Sequence, residues 1–437
     1  MTTTHETYDV LGVGFGPSNL ALAIALHERG IQGAMLPKAK FLEAQKSFAW
    51  HPNMLLDGSD MQVSFIKDLV SLRNPSSPYS FLSYLHAKGR LERFINRKSF
   101  YPSRHEFNDY FAWAAKQMAH MSVYDQKVVG VEPVMGDDGQ VTLLSVVSES
   151  SQGRQTTCHT RDLVMAIGGH PVVPDVFADV ATIPMVHHSS RYLADVKSQL
   201  QSANQPLKIA VVGSGQSGAE IFYDLVNDPH RPEVDFIFRS HALKPSDDSP
   251  FVNEIFDVDF TSYVYQQSKQ QRHTLMEEYS NTNYSVVDGD LIEQIYGVFY
   301  EQDVVNGNHY ALRRSTTVAA AQRAGDQVTL SLRDTHGDKV DEQSYELVVL
   351  ATGVRRRLGE TMMSDLKSYV TDAEVGRTYQ LSTTDDFLPR IFLQGYCEET
   401  HGLSDTLLSV LAARVDEIAE DLLKPYAPKS LVMSAAE

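Results

Sequence analysis

Cysteine is nearly absent from this chain of 437 residues: only Cys158 and Cys397 occur, with no C-x-x-C. That excludes a disulfide framework, a thiolate zinc site and a dithiol redox motif. Long apolar runs are missing too. The most apolar stretch near the N-terminus, residues 20–26, falls far short of the roughly 20 residues a membrane span needs. Residues 1–8 have neither a basic n-region nor a long apolar h-region, so no signal peptide is expected. Positive charge is scarce: 38 Lys and Arg stand against 56 Asp and Glu, a net charge of −18. This argues against a nucleic-acid partner, which needs a basic footprint, and against a polybasic membrane anchor. The expectation is a cytoplasmic protein without a membrane span. G-x-S-x-G, H-E-x-x-H and the phosphate-loop pattern are absent. His187, His188 and the scattered histidines lack metal spacing, so no metal site is expected.

What is present fits a globular chain: 42% hydrophobic and 22% charged residues. Its length predicts two or three domains at roughly 150 residues each. An internal echo organises them. Tyr8-Asp-Val-Leu-Gly-Val-Gly-Phe-Gly-Pro-Ser-Asn-Leu20 runs an apolar strand into Gly12, Gly14 and Gly16, and an apolar helix comes next. Lys208-Ile-Ala-Val-Val-Gly-Ser-Gly-Gln-Ser-Gly218 repeats this with Gly213, Gly215 and Gly218. Such glycines permit a tight turn and let backbone N–H groups approach a pyrophosphate at a helix N-terminus. The first motif departs from G-x-G-x-x-G in that Pro17 stands where the third glycine would be, a place the first helical turn tolerates.

The two motifs differ at the end of the next strand. After the first motif that strand, near Lys40-Phe-Leu42, ends at Glu43, whose carboxylate suits a ribose diol. After the second it ends at Arg239, which suits a 2′-phosphate. Two dinucleotide sites with different ribose ends indicate FAD first and NADPH second. Leu163-Val-Met-Ala-Ile-Gly-Gly169 and Leu347-Val-Val-Leu-Ala-Thr-Gly353 read as buried strands ending in small-residue turns. Gly136-Asp-Asp-Gly139 and residues 152–162 read as loops and hairpins, and residues 202–206 as a linker. Residues 260–300 read mainly as helix. Leu407, Leu408, Leu411, Val415, Ile418 and Leu422 predict a C-terminal helix beginning near Ser404 and stopped by Pro425. Residues 426–437 read as a loose tail.

Six blocks then carry a resemblance: Gly12-Val-Gly-Phe-Gly-Pro-Ser-Asn-Leu20, Met61-Gln-Val-Ser-Phe-Ile-Lys-Asp-Leu69, Arg73-Asn-Pro-Ser-Ser-Pro-Tyr-Ser80, Asp247-Asp-Ser-Pro-Phe-Val-Asn-Glu254, Asn281-Thr-Asn-Tyr-Ser-Val-Val-Asp288 and His401-Gly-Leu-Ser-Asp-Thr-Leu-Leu-Ser409. With these the chain resembles the N-hydroxylating flavin monooxygenases of siderophore biosynthesis, and among them the L-ornithine N-monooxygenases of the pyoverdine type. The resemblance runs from Tyr8 to about residue 423. It implies an α/β fold of two Rossmann-like dinucleotide-binding domains, for FAD and NADPH, with a smaller helical substrate-binding region. The expected boundaries are 1–200 with 345–437 for FAD and 206–344 for NADPH, the helical segment lying at about 245–300.

The resemblance also implies roles. FAD would be held by Gly12, Gly14, Gly16 and Pro17, by the stretch from Glu43 through Trp50 and His51, by Gln62 and Val128, and by Thr406, Leu407, Leu408 and Ser409. NADPH would contact Gly213, Ser214, Gly215, Gln216, Ser217, Arg239 and Asn283. L-Ornithine would lie between Lys67, Asn253, Asn283 and Ser409. Val354 departs from the family pattern, which continues Ala-Thr-Gly with Tyr. The side chains suit those roles: a lysine can pair with the substrate carboxylate, and asparagine amides can donate to it or accept from an amine. The implied reaction uses NADPH and O2 to hydroxylate the side-chain amine, in a homo-oligomer (dimer or tetramer). Two alternatives stay open. One is hydroxylation of another primary amine, L-lysine or putrescine. The other is a nucleotide-binding redox sensor without catalysis. A carbonyl-oxygenating flavin monooxygenase is disfavoured, because Thr182 and Pro184 stand where its fingerprint has Phe and Gly.

Overall fold

Strand Glu6–Val13 starts exposed and ends fully buried, as a central parallel strand must where helices cover both faces. It pairs in parallel with Ala39–Leu42 on one side and with Gln155–Met165 on the other. The computed structural model describes residues 5–357 and 362–426, so most of the tail expected over 426–437 lies outside the described residues. Around the central strand a seven-stranded sheet forms. Its far edge is the antiparallel run Lys127–Met135, Val141–Glu149 and Gln155–Met165. The last of these is eleven residues long, so 155–162, read from sequence with the loops, belongs to a strand. Alternating buried and half-exposed residues hold it in the sheet despite its polar composition. Its final residues pair in parallel with Arg390–Leu393.

A second sheet of five parallel strands has the order Tyr310–Arg313, Glu233–Ile237, Lys208–Val212, Leu347–Leu350, Val186–His188. Strand pairing thus departs from the expected boundaries at two places. Residues 186–188 and 347–350, assigned by sequence to the first domain, are hydrogen-bonded into the second sheet. The reason is crossover geometry: each returning strand must lie beside a parallel partner, and Lys208–Val212 has a free edge for Leu347–Leu350. A three-stranded antiparallel sheet, Thr316–Ala324, Gln327–Asp334 and Val340–Tyr345, flanks it. The chain passes between the two units through the short pair His170–Pro171 and Val354–Arg355. The helices Val258–Gln266, Lys269–Tyr279 and Gly289–Val304 fill most of the segment expected to be helical.

The two units repeat one backbone device. Gly14 donates its N–H to Leu42 O (2.8 Å), and Val13 O accepts from Ala166 N (2.9 Å). Gly213 donates to Ile237 O (3.0 Å), and Val212 O accepts from Ala351 N (2.8 Å). Both glycines have positive φ, 83° and 129°. A Cβ on Gly14 would lie 2.5 Å from Ala166 O, and one on Gly213 would lie 2.2 Å from Ala351 O. Only glycine fits in either place. The small-residue turns seen in the sequence, Ala166-Ile-Gly and Ala351-Thr-Gly, are therefore the partners of the two glycine loops.

The C-terminal helix begins later than its periodicity predicts. Leu403–Thr406 is a 3-10 turn, Leu407 is extended (φ −107°, ψ 167°), and the helix proper is Leu411–Leu423. A buried ion pair explains the break. Asp405 Oδ2 accepts from Cys397 N (2.7 Å), and its Oδ1 lies 3.0 Å from Arg414 Nη1. Arg414 also donates to the Asp405 carbonyl and to Ser18 Oγ (3.0 Å). The side chains of the pair are 2% and 0% exposed. With its carboxylate committed to these partners, Asp405 cannot lie in a continuous helix with residue 411. Removing one member of such a pair strands the other charge in a dry interior, at a cost of about 3–5 kcal/mol. Asp405→Ala should therefore lower the urea unfolding free energy by about that amount, with Asp405→Asn milder. A wild-type midpoint for Asp405→Ala would contradict the role of this pair.

Candidate active site

Each glycine loop ends in a helix whose first turn has no side-chain cap. Gly16 precedes helix Pro17–Ile31, and Gly215 precedes helix Gln216–Val226. The N–H groups of such a turn form an anion site. Gly14 and Gly213 are packed against carbonyls, but a Cβ on Gly16 would meet nothing within 4 Å. Near Gly215 the nearest atom is Ser285 Cα, at 3.8 Å. The loops thus open onto space at the positions where a pyrophosphate would approach, and the residues present fit two dinucleotides.

Glu43 follows strand Ala39–Leu42, as expected. Its carboxylate is buried and accepts from Phe15 N (2.7 Å) and Gln45 N (2.8 Å). A carboxylate has about four lone-pair sites, so capacity for a ribose hydroxyl remains. Trp50 is half-buried; its N–H is held by Asn108 Oδ1 (2.8 Å) and its ring packs edge-on against Phe111. Val128 is buried near the start of strand Lys127–Met135. His51 has a left-handed backbone (φ 47°). Water reaches it, yet the surrounding protein, helped by the charges of Arg104 and Arg356, pushes its pKa down to about 4. It is neutral at physiological pH.

On the second loop, Ser214, Gly215, Gln216 and Ser217 are half-exposed. The Gln216 amide is held within the protein. Its Nε2 donates to Glu220 Oε1 and Asp288 Oδ2 (both 2.8 Å), and its Oε1 accepts from Asp288 N (2.9 Å). Arg239 lies just past strand Glu233–Ile237, exposed and without a partner among the described residues.

The four expected substrate residues stand on segments that are drawn together. Lys67 Nζ lies 3.7 Å from Asp257 Oδ1, four residues after Asn253. Asn253 spends one amide hydrogen on Asp248 O (2.7 Å), which leaves the other. Helix Val258–Gln266 packs on the C-terminal segment: Thr261 Oγ1 is 3.4 Å from Ser404 Oγ, and Tyr265 lies against His401. Beside Asn283, Tyr284 donates to Glu398 Oε2 (2.7 Å), and Cys397 is bonded to Asp405. The side chains of Asn283 and Ser409 make no hydrogen bond within the described chain. The C-terminal helix, expected from near Ser404, begins at Leu411 instead, so Thr406 ends a 3-10 turn and Leu407, Leu408 and Ser409 form an irregular segment between it and the helix.

Sequence reasoning misses three residues here: Arg356, Glu398 and Tyr284. Arg356 donates to Thr406 O (3.2 Å), and its charge acts on His51, Tyr284, Tyr396 and Glu398. Burial raises the Glu398 carboxyl above the usual range, against the opposing pull of Tyr284 and Arg356. Tyr284 sits next to Asn283 in a family-like block, but the resemblance gives it no role. The available signal is the run Arg355-Arg356-Arg357 after Ala-Thr-Gly. His187 and His188 have structural partners: His188 bonds Gly353 O (2.9 Å) and Ser190 Oγ (3.0 Å), and His187 bonds Pro184 O (2.7 Å). Among the described residues no cluster of His, Cys, Asp and Glu is placed to hold a metal, and no helix is long and apolar enough to cross a membrane.

A family model described as L-lysine 6-monooxygenase/L-ornithine 5-monooxygenase matches residues 6–356. An L-ornithine N(5)-monooxygenase of Pseudomonas aeruginosa is 46% identical over 428 residues, covering 98% of this chain and 96% of the relative. A solved ornithine hydroxylase from Pseudomonas aeruginosa superposes with a TM-score of 0.91 at 45% identity, covering 96% of this chain and 99% of the other. An ornithine N-hydroxylase from Kutzneria sp. 744, solved with reduced FAD, NADP+ and L-ornithine, superposes at 0.89 with 36% identity, covering 96% and 100%. Two uncapped glycine loops and these matches along nearly the whole chain agree: the protein belongs to the L-lysine 6-monooxygenase/L-ornithine 5-monooxygenase family.

Proposed function

We propose that the protein is an FAD- and NADPH-dependent monooxygenase that hydroxylates the side-chain amine of L-ornithine, for hydroxamate siderophore biosynthesis. The reaction takes L-ornithine, O2, NADPH and a proton to N-hydroxy-L-ornithine, water and NADP+. The observation that carries the reading is a chain of contacts joining the two loops. Ser18, on the first loop's helix, bonds Arg414, which pairs with Asp405. Asp405 bonds Cys397, the neighbour of Glu398, which holds Tyr284 beside Asn283. Asp288, five residues on, holds Gln216 of the second loop. An amino acid seated among Lys67, Asn253, Asn283 and Ser409 would lie between the two cofactors.

Bound FAD supplies the redox chemistry, accepting electrons from NADPH and activating O2. The chain's residues bind, orient and exclude water. Lys67 faces the substrate carboxylate. Its present partner Asp257 is about half exposed (56%), and such pairs are worth little, so the ammonium is free to exchange partners. Asn253 donates its remaining amide hydrogen to the same carboxylate. Asn283 and Ser409 offer oxygens to the amine. Leu407 and Leu408 keep water from the reacting nitrogen. The division into a FAD unit and an NADPH unit follows the two sheets. The reading carries with it a cytoplasmic homo-oligomer, and the exposed stripe Tyr296, Tyr300 and Val304 on helix Gly289–Val304 supports self-association.

Three outcomes test this. Lys67→Ala should raise the KM for L-ornithine by about tenfold or more, since a charge-assisted hydrogen bond contributes about 1.5–3 kcal/mol. Flavin reduction by NADPH should change little. An unaltered ornithine dependence would remove Lys67 from the carboxylate site.

Wild-type enzyme should prefer NADPH to NADH, and Arg239→Ala should erode the preference mainly through NADPH. Equal use of NADH by the wild type would make Arg239 a surface charge only.

The third outcome concerns protons. A free alkyl ammonium has a pKa of about 10.4 and must lose its proton to attack oxygen. No carboxylate belongs to the proposed amine contacts, so nothing there favours the charged form. The ratio of hydroxylated product to hydrogen peroxide should rise from about pH 6 to about 9, a range below the pKa of the free amine. NADPH oxidation should depend on pH less steeply. A flat or falling ratio is incompatible with attack by the neutral amine.

A further inference from the structure

We propose that Asp288 is a positioning residue that couples the NADPH loop to the flavin side of the site and so governs how fully NADPH oxidation ends in hydroxylation; this rests on the function proposed above. Asp288 occupies the N-cap position of helix Gly289–Val304, where aspartate ordinarily caps the first turn with its own carboxylate. Here it makes no capping bond. Its Oδ1 accepts from Gln62 Nε2 (2.8 Å) and its Oδ2 from Gln216 Nε2 (2.8 Å), while its N–H donates to Gln216 Oε1 (2.9 Å). The carboxylate has been diverted from its local role to two distant amides.

Those amides belong to different units. Gln62 lies in the block expected to face FAD, and Gln216 opens the helix of the NADPH loop. Gln216 is locked from its other side by Glu220. Glu220 is gripped through both oxygens by Arg104 (2.7 and 2.5 Å), at the start of helix Arg104–Gln117 in the first unit. The series Gln62, Asp288, Gln216, Glu220, Arg104 therefore leaves the first unit, crosses the second loop and returns. Hydrogen bonds to ionised groups are the stronger kind, and each of the four links in this series includes one. Asn283 stands five residues before Asp288 on the same loop. A displacement of the NADPH loop is thus transmitted both to Gln62 and to the loop that carries an amine contact.

The test compares Asp288→Ala with Asp288→Asn in the holoenzyme. Asparagine keeps an oxygen for Gln216, and its NH2 can serve Gln62 once that amide turns over. Three quantities are read: KM for NADPH in flavin reduction without ornithine, the product-to-peroxide ratio with ornithine, and the melting midpoint. Asp288→Ala should raise the KM and lower the ratio, each by about tenfold, the scale of one lost charge-assisted bond. Asp288→Asn keeps the bonds but loses their charge assistance, so it should be the less impaired of the two variants in both. The proposal is overturned if Asp288→Ala keeps wild-type KM and ratio, if only its melting midpoint moves, or if Asp288→Asn is as impaired as Asp288→Ala. A wild type that makes no hydroxylamine from ornithine would instead defeat the functional reading. The KM comparison would then still decide whether Asp288 positions the NADPH loop.

Discussion

A backbone carbonyl stands behind each nucleotide loop, and the architecture depends on that contact. Ala166 O fills the space a side chain at Gly14 would need, and Ala351 O does so at Gly213. With no Cβ between them, the turn lies flat on the end of the neighbouring strand. The next helix then starts above the sheet, with its first N–H groups facing outward. The next glycine along, Gly16 or Gly215, is left facing open space. The close approach that excludes side chains in one place thus opens a binding position two residues further on. Because the contact is made twice, two such positions result, and the rest of the chain must arrange them around one substrate.

Buried charge gives direction to the apolar packing that already joins these parts. Arg414 and Asp405 anchor the C-terminal segment to the first loop's helix through Ser18. Arg104 and Glu220 fasten the second loop's helix to the first unit, with the Glu220 side chain only 8% exposed. Apolar contacts are non-directional and would tolerate small slides between units. A two-pronged guanidinium–carboxylate pair fixes orientation as well as distance. Placing a side-chain amine against one reactive atom needs that kind of constraint, since a misplacement of about 1 Å costs a large factor in rate.

The parts legible in the sequence are those whose cause is local. The strand, glycine turn and helix at residues 8–26 and again at 208–222 are encoded within a few residues, and both appear where expected. Glu43 and Arg239 can be located because each sits just past its strand. The C-terminal helix is shorter than its pattern: periodicity sees Leu407 and Leu408 but not the ion pair that bends the chain at Asp405. The sheet membership of 186–188 and 347–350 is also hidden, because a parallel partner is chosen by topology. The connections between the two units are least legible. Gln62 and Asp288 are 226 positions apart, Arg104 and Glu220 116, and Tyr284 and Glu398 114. No periodicity links such pairs. The family resemblance marks the blocks that contain several of them, but not what they bond to.

On the proposed function, this chain joins an oxygen atom from O2 to the side-chain nitrogen of L-ornithine at the expense of NADPH. Turnover under oxygen-18 gas, with FAD, NADPH and L-ornithine, tests it most directly by mass spectrometry of the product. The product should be heavier by one oxygen-18 atom, with the label on the side-chain nitrogen, and NADPH consumption should match product where coupling is complete. An unlabelled product, or NADPH oxidation that yields only labelled hydrogen peroxide whatever the pH, would contradict it.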